Sequence, residues 1–309
     1  MPTATAPRPP RPFGTVLTAM VTPFTADGSL DTEAAASLAQ RLVAEGHDGL
    51  VVSGTTGESP TTSDGEKDRL LRAVLEAVGE QACVIAGVGT NDTAHTCELA
   101  RAAEKAGAAG LLVVTPYYSK PPQAALLQHF RTAADATGLP VMLYDIPGRA
   151  GVAIDTETLV RVAEHDRVLA VKDAKGDLYA SSWVMARTDL AYYSGEDALN
   201  LGLLACGASG VVSVVGHVAG RQYREMVEAV DAGDLVAARA VHTRLLPAVR
   251  GIMTRTQGVV AVKAALQLTG ALTHRTTRPP LLDATPEEVA LLRADLDAAD
   301  LLPATPQDT

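Results

Sequence analysis

The sequence predicts an α/β protein built as a closed (β/α)8 barrel, followed by a C-terminal extension of three helices. Between residues 14 and 232, eight short apolar runs alternate with amphipathic helical stretches, and no run alternates apolar with polar residues. Runs that are apolar throughout are typical of strands buried on both faces, as in parallel sheets. Eight strand–helix units in about 220 residues fit a closed eight-stranded barrel better than a six-stranded open sheet.

Local signals place the strands and the first two helices. We expect Asp31 to cap a helix that stops at Gly46. Ser63 and Glu66 have the spacing of a capping box, which begins a second helix that stops at Gly79. The eight predicted strands cover residues 16–21, 49–53, 83–87, 110–114, 140–145, 168–172, 190–194 and 210–215.

A third barrel helix begins at Asn91 or Asp92 and ends before Gly107. After residue 232 the pattern changes to helices alone, and the sequence "TPEE" supplies Thr285 as the N-cap of the last one. These three helices are predicted at roughly 234–250, 257–270 and 286–300. The domain prediction is therefore a disordered Pro-rich tail at 1–12, a catalytic barrel at 13–232 and a helical extension at 233–309.

Composition narrows the class of function. The chain has 309 residues, a net charge of -10 and a pI near 5.2, which argues against a nucleic-acid-binding protein. The three cysteines and seven histidines show no spacing typical of a disulfide framework or a metal site, so we expect no metal. No apolar run approaches the length of a membrane span, and the N-terminus lacks the apolar core of a signal peptide. A cytoplasmic protein that acts on small molecules is expected.

Polar residues follow the predicted strands at the end where barrel enzymes place their active sites. One of them, Lys172, ends the apolar run Val168–Val171, and an amine there must lower its pKa or find a partner. A structural ion pair with Asp173 or Asp177, or a stem that reaches solvent, would account for it. Alternatively, a neutral amine in a dry site attacks a ketone to form a Schiff base, an electron sink for the adjacent carbon.

Other strand-end residues suit the same chemistry. A tyrosine hydroxyl such as that of Tyr144 can move protons. The glycine-bracketed turn "GTTGES" at 54–59 could hold a carboxylate through backbone N–H groups and hydroxyls, and Arg149 could hold a second one. Each residue also has a structural explanation: the turn is an ordinary loop, Tyr144 a core residue and Arg149 a partner of Asp145 or Asp155. Their convergence on one barrel end favours a carbonyl site.

Several motifs, in order along the chain, resemble the dihydrodipicolinate synthase family of pyruvate-dependent aldolases, and the resemblance extends from about residue 14 to residue 300. Taken together the motifs are highly specific, whereas the lysine and the tyrosine–arginine elements are shared across the superfamily. They are "GTTGESPT" (54–61), "TPYYSKPPQ" (115–123), "YDIPGRAG" (144–151), "VKDAKGD" (171–177), "YSGEDALN" (193–200) and "GVVSVVGHVA" (210–219).

The resemblance implies condensation of pyruvate with aspartate-4-semialdehyde in diaminopimelate and lysine synthesis, with no cofactor besides the imine on Lys172. It implies proton transfer through Tyr144, Thr55 and Tyr118, with Tyr118 reaching in from the neighbouring subunit of a homodimer or homotetramer. It also implies that Thr56 binds the pyruvate carboxylate. The remaining implied ligands are Val212, through its backbone near pyruvate, and Arg149, on the carboxylate of the aldehyde.

A regulatory site for lysine is also implied, although its residues depart from the family pattern. Feedback-sensitive members carry histidines at the positions of Asp64 and Lys67, and a glutamate at the position of His95. We therefore predict weak or absent inhibition by lysine. The remaining residues of this site in the resemblance are Ser59, Asn91 and Tyr117.

Two other functions fit the barrel. A sister aldolase or dehydratase would share Lys172 and Tyr144 but vary at the Tyr118 and Arg149 positions. A non-catalytic barrel that only binds a 2-oxo acid would be favoured if Lys172, Tyr144 or Thr55 were replaced, and none is. We expect no nucleic-acid or membrane partner in any of these cases.

Overall fold

The computed structural model describes residues 9–303 and confirms the closed parallel barrel. Each strand pairs with its neighbour in chain order, and β8 closes the barrel against β1. The strands are β1 Val16–Ala19, β2 Gly49–Val52, β3 Cys83–Gly87, β4 Gly110–Val114, β5 Val141–Asp145, β6 Val168–Asp173, β7 Ala191–Ser194 and β8 Gly210–Ser213.

The barrel helices begin where their capping residues predict. Asp31 accepts from the backbone of Ala34, Asp92 rather than Asn91 caps the third helix, and Ser63 forms a complete capping box with Glu66. The helices are α1 Thr32–Ala44, α2 Asp64–Val78, α3 Thr93–Ala106, α4 Gln123–Asp135, α5 Pro147–Ala150, α6 Thr156–Val162, α7 Leu178–Met185, α8 Asn200–Ala205 and α9 Gly216–Asp231, with single 3-10 turns at Ser59–Thr61 and Asp197–Leu199.

Strand side chains alternate between two cores. The outward set packs under the helices, whereas an inward set fills the barrel itself. Phe13 and Tyr193 lie at the N-terminal end of the inward set, where the Tyr193 hydroxyl donates to the carbonyl oxygen of Gly14 (3.0 Å). This end is closed by packed side chains, so the open end of the barrel is the one that carries the strand C-termini.

Strand β6 contains a register shift that decides which way its residues point. Val141 pairs with Val168, but Met142 pairs with Ala170, so Leu169 is left without a partner on β5. In a regular strand of the same sequence without this shift, alternation from the outward Val168 would turn Lys172 outward as well. The shift restores Ala170 and Lys172 to the interior.

As far as residue 303, the C-terminal extension contains the three predicted helices: α10 Leu235–Met253, α11 Gly258–Leu268 and α12 Pro286–Asp297. The buried Asp295 on α12 accepts hydrogen bonds from Arg250 and Arg255 and so ties α10 and the loop after it to α12. Thr285 forms the predicted capping box with Glu288. This loop and the start of α11 reach the open end of the barrel.

The predicted tail at 1–12 falls largely on residues 1–8, which lie outside the described residues. Arg11 is held in place, because its guanidinium forms a two-pronged ion pair with Asp231 and donates to the carbonyl oxygen of Ser209. Within residues 9–303, no helix is long and apolar enough to cross a membrane.

Candidate active site

Lys172 ends in the barrel interior beside Tyr144. The two residues are register partners on β6 and β5, and the Nζ atom lies 4.3 Å from the centre of the Tyr144 ring. The two carboxylates considered as ion-pair partners are engaged elsewhere: Asp173 accepts from the Lys175 N–H and the Ser181 hydroxyl, and Asp177 caps α7. With only 3 % of its surface exposed, Lys172 does not reach solvent either.

Burial shifts the pKa values of both residues away from their usual values. Loss of water lowers the pKa of Lys172 to about 8, an effect that the carboxylate of Asp197 opposes and the guanidinium of Arg149 reinforces. Loss of water also raises the pKa of Tyr144 to about 12, against the effects of Arg149 and the Thr55 hydroxyl. Near neutral pH, Tyr144 therefore retains its proton and an appreciable fraction of Lys172 is neutral.

The amine opens into a small cavity of about 90 Å³. Gly195 is required on its wall, because a Cβ atom there would lie 2.8 Å from Cγ and 2.9 Å from Cε of Lys172. The other lining residues are Thr55, Thr56, Tyr144, Ile146, Arg149, Glu196, Val214, Met253, Gln257, Gly258 and Val259. A volume of this size suits a molecule of a few heavy atoms.

Asp197 lies buried behind this cavity and organises the loop after β8. Its carboxylate accepts from the backbone N–H groups of Val214 (2.9 Å) and Val215 (3.1 Å) and from the Ser213 hydroxyl. Val214 is one of the cavity residues. Asp197 thus supplies negative charge near Lys172 and fixes one wall of the site.

The turn after β2 carries Thr55 and Thr56 to the opposite wall. The Glu58 N–H donates to the Thr55 carbonyl oxygen (3.1 Å), and the Thr22 hydroxyl donates to the Gly57 carbonyl oxygen (2.6 Å). Glu58 has a left-handed backbone (φ 54°), which lets the chain reverse within the turn. The two threonines are thereby held beside Lys172 and Tyr144.

A second cavity of about 250 Å³ adjoins the first and shares Thr55, Tyr144, Ile146 and Arg149 with it. Arg149 lies on α5 with its side chain exposed at the junction of the two cavities. The pairing of Arg149 with Asp145 that was considered from the sequence is not formed, because Asp145 lies 3.2 Å from the Lys175 amine instead. The guanidinium is available for an anionic ligand.

Two of the predicted site residues lie outside the Lys172 cavity. Tyr118, with a left-handed backbone (φ 74°), is 90 % exposed and lines neither cavity of its own chain. Val212 is fully buried in the barrel interior, where it packs with Leu17 and Ala19 below the cavity.

The residues of the predicted lysine site fall into two groups. Ser59 and Tyr117 line the larger cavity. His95 is hydrogen-bonded to Asp64 (2.9 Å), and Lys67 lies 3.7 Å from the same carboxylate and donates to the Thr62 carbonyl oxygen (2.5 Å). Asn91 is exposed in the turn that precedes α3.

Sequence reasoning did not assign Glu196, Asp197, Gln257 or Lys263 to the site. Glu196 and Asp197 directly follow strand β7, and this position at a strand C-terminus could have predicted that they lie at the site. Lys263 stands alone in the otherwise apolar stretch "GVVAVKAALQL", a pattern that marks a buried charge with a partner. Gln257 gave no signal, because its place depends on how the extension packs on the barrel.

Within residues 9–303, no group of three or more His, Cys, Asp or Glu side chains is arranged to hold a metal ion. The site is built instead from one buried amine, hydroxyl groups and a free guanidinium. This set of groups suits carbonyl chemistry on an anionic substrate.

Comparisons with known proteins agree with this geometry. Residues 12–299 match the model of the dihydrodipicolinate synthetase family. The chain is 78% identical over 304 residues to the 4-hydroxy-tetrahydrodipicolinate synthase of Kineococcus radiotolerans, covering 98% of this chain and 99% of that protein. It is 68% identical to the enzyme of the same name from Acidothermus cellulolyticus, covering 94% of each chain.

Solved structures resemble the chain over nearly its whole length. The enzyme from Cyanidioschyzon merolae with lysine bound is 41% identical, with a TM-score of 0.92 over 95% of this chain and 100% of that one. The chloride-inhibited dihydrodipicolinate synthase from Acinetobacter baumannii complexed with pyruvate is 32% identical, with a TM-score of 0.90 over 94% and 99% of the two chains.

Proposed function

Because the chain belongs to the dihydrodipicolinate synthetase family, we propose that it condenses pyruvate with L-aspartate-4-semialdehyde to give 4-hydroxy-tetrahydrodipicolinate. This reaction belongs to the synthesis of diaminopimelate and lysine. The observation that carries the proposal is Lys172, a buried amine with a pKa of about 8 next to the hydroxyl-bearing Tyr144. The high identity to enzymes of this name supports the same substrates.

Lys172 acts as the nucleophile. Its neutral amine attacks C2 of pyruvate, and loss of water leaves an imine. The protonated imine withdraws electrons, so a methyl proton of pyruvate leaves and an enamine forms. The enamine carbon then bonds to the aldehyde carbon of the second substrate. The α-amine of that substrate attacks the imine carbon, which closes the ring and releases Lys172.

The proton transfers are assigned to Tyr144. Its pKa of about 12 keeps the hydroxyl protonated, so it donates to the oxygen that leaves as water and later returns protons to the substrate. Thr55, beside it on the cavity wall, connects it to Tyr118 of a second copy of the chain. A Tyr118 side chain that is 90 % exposed in one subunit suits insertion into a neighbour, and supports a homodimer or a homotetramer made of such dimers.

Anionic groups of the substrates are assigned to the cavity walls. Thr56 binds the pyruvate carboxylate with its hydroxyl and backbone N–H, and Val212 approaches pyruvate through its backbone. Arg149, exposed where the two cavities meet, binds the carboxylate of the aldehyde. The imine itself supplies the electron sink, so the reaction needs no cofactor. We assign the reaction to the cytoplasm.

The test supplies purified protein with pyruvate and a set of aldehydes, and follows consumption of the acceptor. We expect turnover with aspartate-4-semialdehyde and little with sugar-derived aldehydes. Arg149→Met should raise the KM of aspartate-4-semialdehyde about tenfold or more, since a charge-assisted carboxylate contact is lost, while the KM of pyruvate changes little. Faster turnover with a different aldehyde would instead identify a sister aldolase.

A further inference from the structure

An ion pair joins the threonine turn to the C-terminal extension. Glu58, at the end of the turn, accepts a hydrogen bond from the Lys263 amine on α11, with 2.5 Å between Oε1 and Nζ. Lys263 is fully buried and Glu58 nearly so. The two residues are 205 positions apart in the chain, so the contact exists only because the extension packs on the barrel.

Each charged group in this pair is fully coordinated. Lys263 also donates to the Thr276 carbonyl oxygen (2.7 Å), and its Nζ atom lies 4.2 Å from the centre of the Phe24 ring. The other carboxylate oxygen of Glu58 accepts from the backbone N–H of Arg278 (2.9 Å). Complete coordination of this kind gives a defined geometry with little freedom for either side chain.

Both ends of the pair are directly connected to the walls of the Lys172 cavity. On one side, the Glu58 N–H donates to the Thr55 carbonyl oxygen, and Thr55 and Thr56 line the cavity. On the other side, α11 begins at Gly258, and the cavity is lined by Gly258 and Val259 one helical turn before Lys263. The contact between Glu58 and Lys263 therefore ties these two walls to each other.

A fully buried ion pair is not in itself a source of stability. The cost of removing two charges from water offsets most of their attraction, and apolar residues of similar size give comparable stability. A buried ion pair can instead select one packing geometry among several that the apolar contacts alone would allow. Here the selected geometry is the position of the Thr55–Thr56 turn against α11.

We propose that Glu58 and Lys263 are positioning residues, which hold the Thr55–Thr56 turn at the spacing from α11 that binds a 2-oxo acid. This inference rests on the proposed function, because it takes pyruvate as the ligand of the threonine turn. Neither residue touches the substrate. Their effect on substrate binding falls on pyruvate, since the contact with the aldehyde is assigned to Arg149 on α5. Their effect on turnover runs through Thr55, which the same turn carries.

The test uses the double variant Glu58→Gln/Lys263→Met, which removes both charges while keeping the side-chain sizes. Pyruvate is titrated in the presence of borohydride, and the fraction of protein trapped as a reduced adduct is measured by mass spectrometry. We expect the half-maximal pyruvate concentration and the KM for pyruvate to rise about tenfold, with the KM for the aldehyde unchanged. Thermal unfolding should show that the double variant is still folded at the assay temperature, so that partial unfolding does not account for the weaker pyruvate binding.

Arg224→Met is the matched control, because it breaks an ion pair with Asp48 at the opposite end of the barrel. It should alter thermal stability alone. If the double variant does not fold, the isosteric Glu58→Gln carries the test, since it weakens the pair but keeps a group that can accept from Arg278. A folded variant with an unchanged pyruvate titration would overturn the positioning role, whereas a wild-type protein that forms no adduct would overturn the proposed function itself.

Discussion

Tyr144 and Lys172 are register partners on adjacent strands, and the Lys172 amine lies 4.3 Å from the centre of the Tyr144 ring. The pairing depends on the register shift at Leu169, because a strand without it would direct Lys172 to the outside of the barrel. The register shift at Leu169 thus keeps Lys172 on the interior face that also carries Tyr144.

Tyr144→Phe should separate proton transfer from imine formation. The ring remains to pack against Lys172, but the hydroxyl that moves protons is lost. We expect kcat to fall by a factor on the order of 10² to 10⁴, the usual contribution of a general acid–base group. Borohydride should still trap pyruvate on the variant, although more slowly. A kcat within twofold of wild type would remove Tyr144 from the proton pathway.

The rate of adduct formation should rise with pH through about 8, because only the neutral form of Lys172 attacks the ketone. The carboxylate of Asp197 raises the pKa of Lys172, so Asp197→Asn should lower that pKa and move the profile to more acidic pH. Initial rates of trapping from about pH 6 to pH 10 measure both curves. Superimposable profiles for wild type and variant would show that Asp197 has no electrostatic effect on the amine.

The barrel strands and helices could be predicted because the signals that define them are local. Continuous apolar runs and capping residues such as Asp31 and Ser63 act locally, and the structure confirms them. The register shift at Leu169 could not be predicted, since residues 168–171 are all apolar and carry no alternation that a shift would interrupt. The ion pair between Glu58 and Lys263 was missed because it joins segments that only the tertiary fold brings together.

Tyr118 offers a test of sharing between subunits. Tyr118→Phe and Lys172→Met should each reduce activity severely, because each removes one group from every site. When the two inactive variants are unfolded, mixed and refolded together, a mixed dimer contains one site with both groups intact. Random pairing should then restore about a quarter of the wild-type activity. No recovery from a mixture that forms dimers would place Tyr118 in the site of its own chain, or outside it.

Lysine should inhibit the protein weakly or not at all. The Asp64 carboxylate is already occupied by His95 and Lys67, and the Lys67 ammonium would repel the charged amines of lysine. Activity is measured while lysine is titrated up to the millimolar range. Half-maximal inhibition below about a millimolar would contradict the prediction and would require these three side chains to rearrange on binding.

Acid should destabilise the protein through its buried histidines. His217 accepts from the Val21 N–H and is hydrogen-bonded to the Val214 carbonyl oxygen, and burial lowers its pKa to about 4 from a usual 6.5. Because the folded-state pKa is lowered, the stabilising contribution is complete above pH 6.5 and is lost as the pH falls towards 4. By about pH 5, protonation of His217 in the unfolded chain should lower the free energy of unfolding by about 2 kcal/mol.

Denaturant unfolding at several pH values measures this loss. His47 and His129, whose pKa values burial also lowers to about 4, add to the total slope. His217→Gln should flatten the dependence of stability on pH by the share of one histidine. His274→Gln, at an exposed position, is the control for the substitution itself. A His217 variant with the wild-type slope would show that this residue does not titrate on unfolding.

The proposed function requires that Lys172 forms a Schiff base with pyruvate. The most direct measurement treats the wild-type protein with pyruvate and borohydride and locates the reduced adduct by peptide mass spectrometry, with Lys172→Met as control. One adduct per chain is expected, on Lys172, and none on the variant. An adduct on another lysine, or none on folded protein with pyruvate in excess, would contradict it.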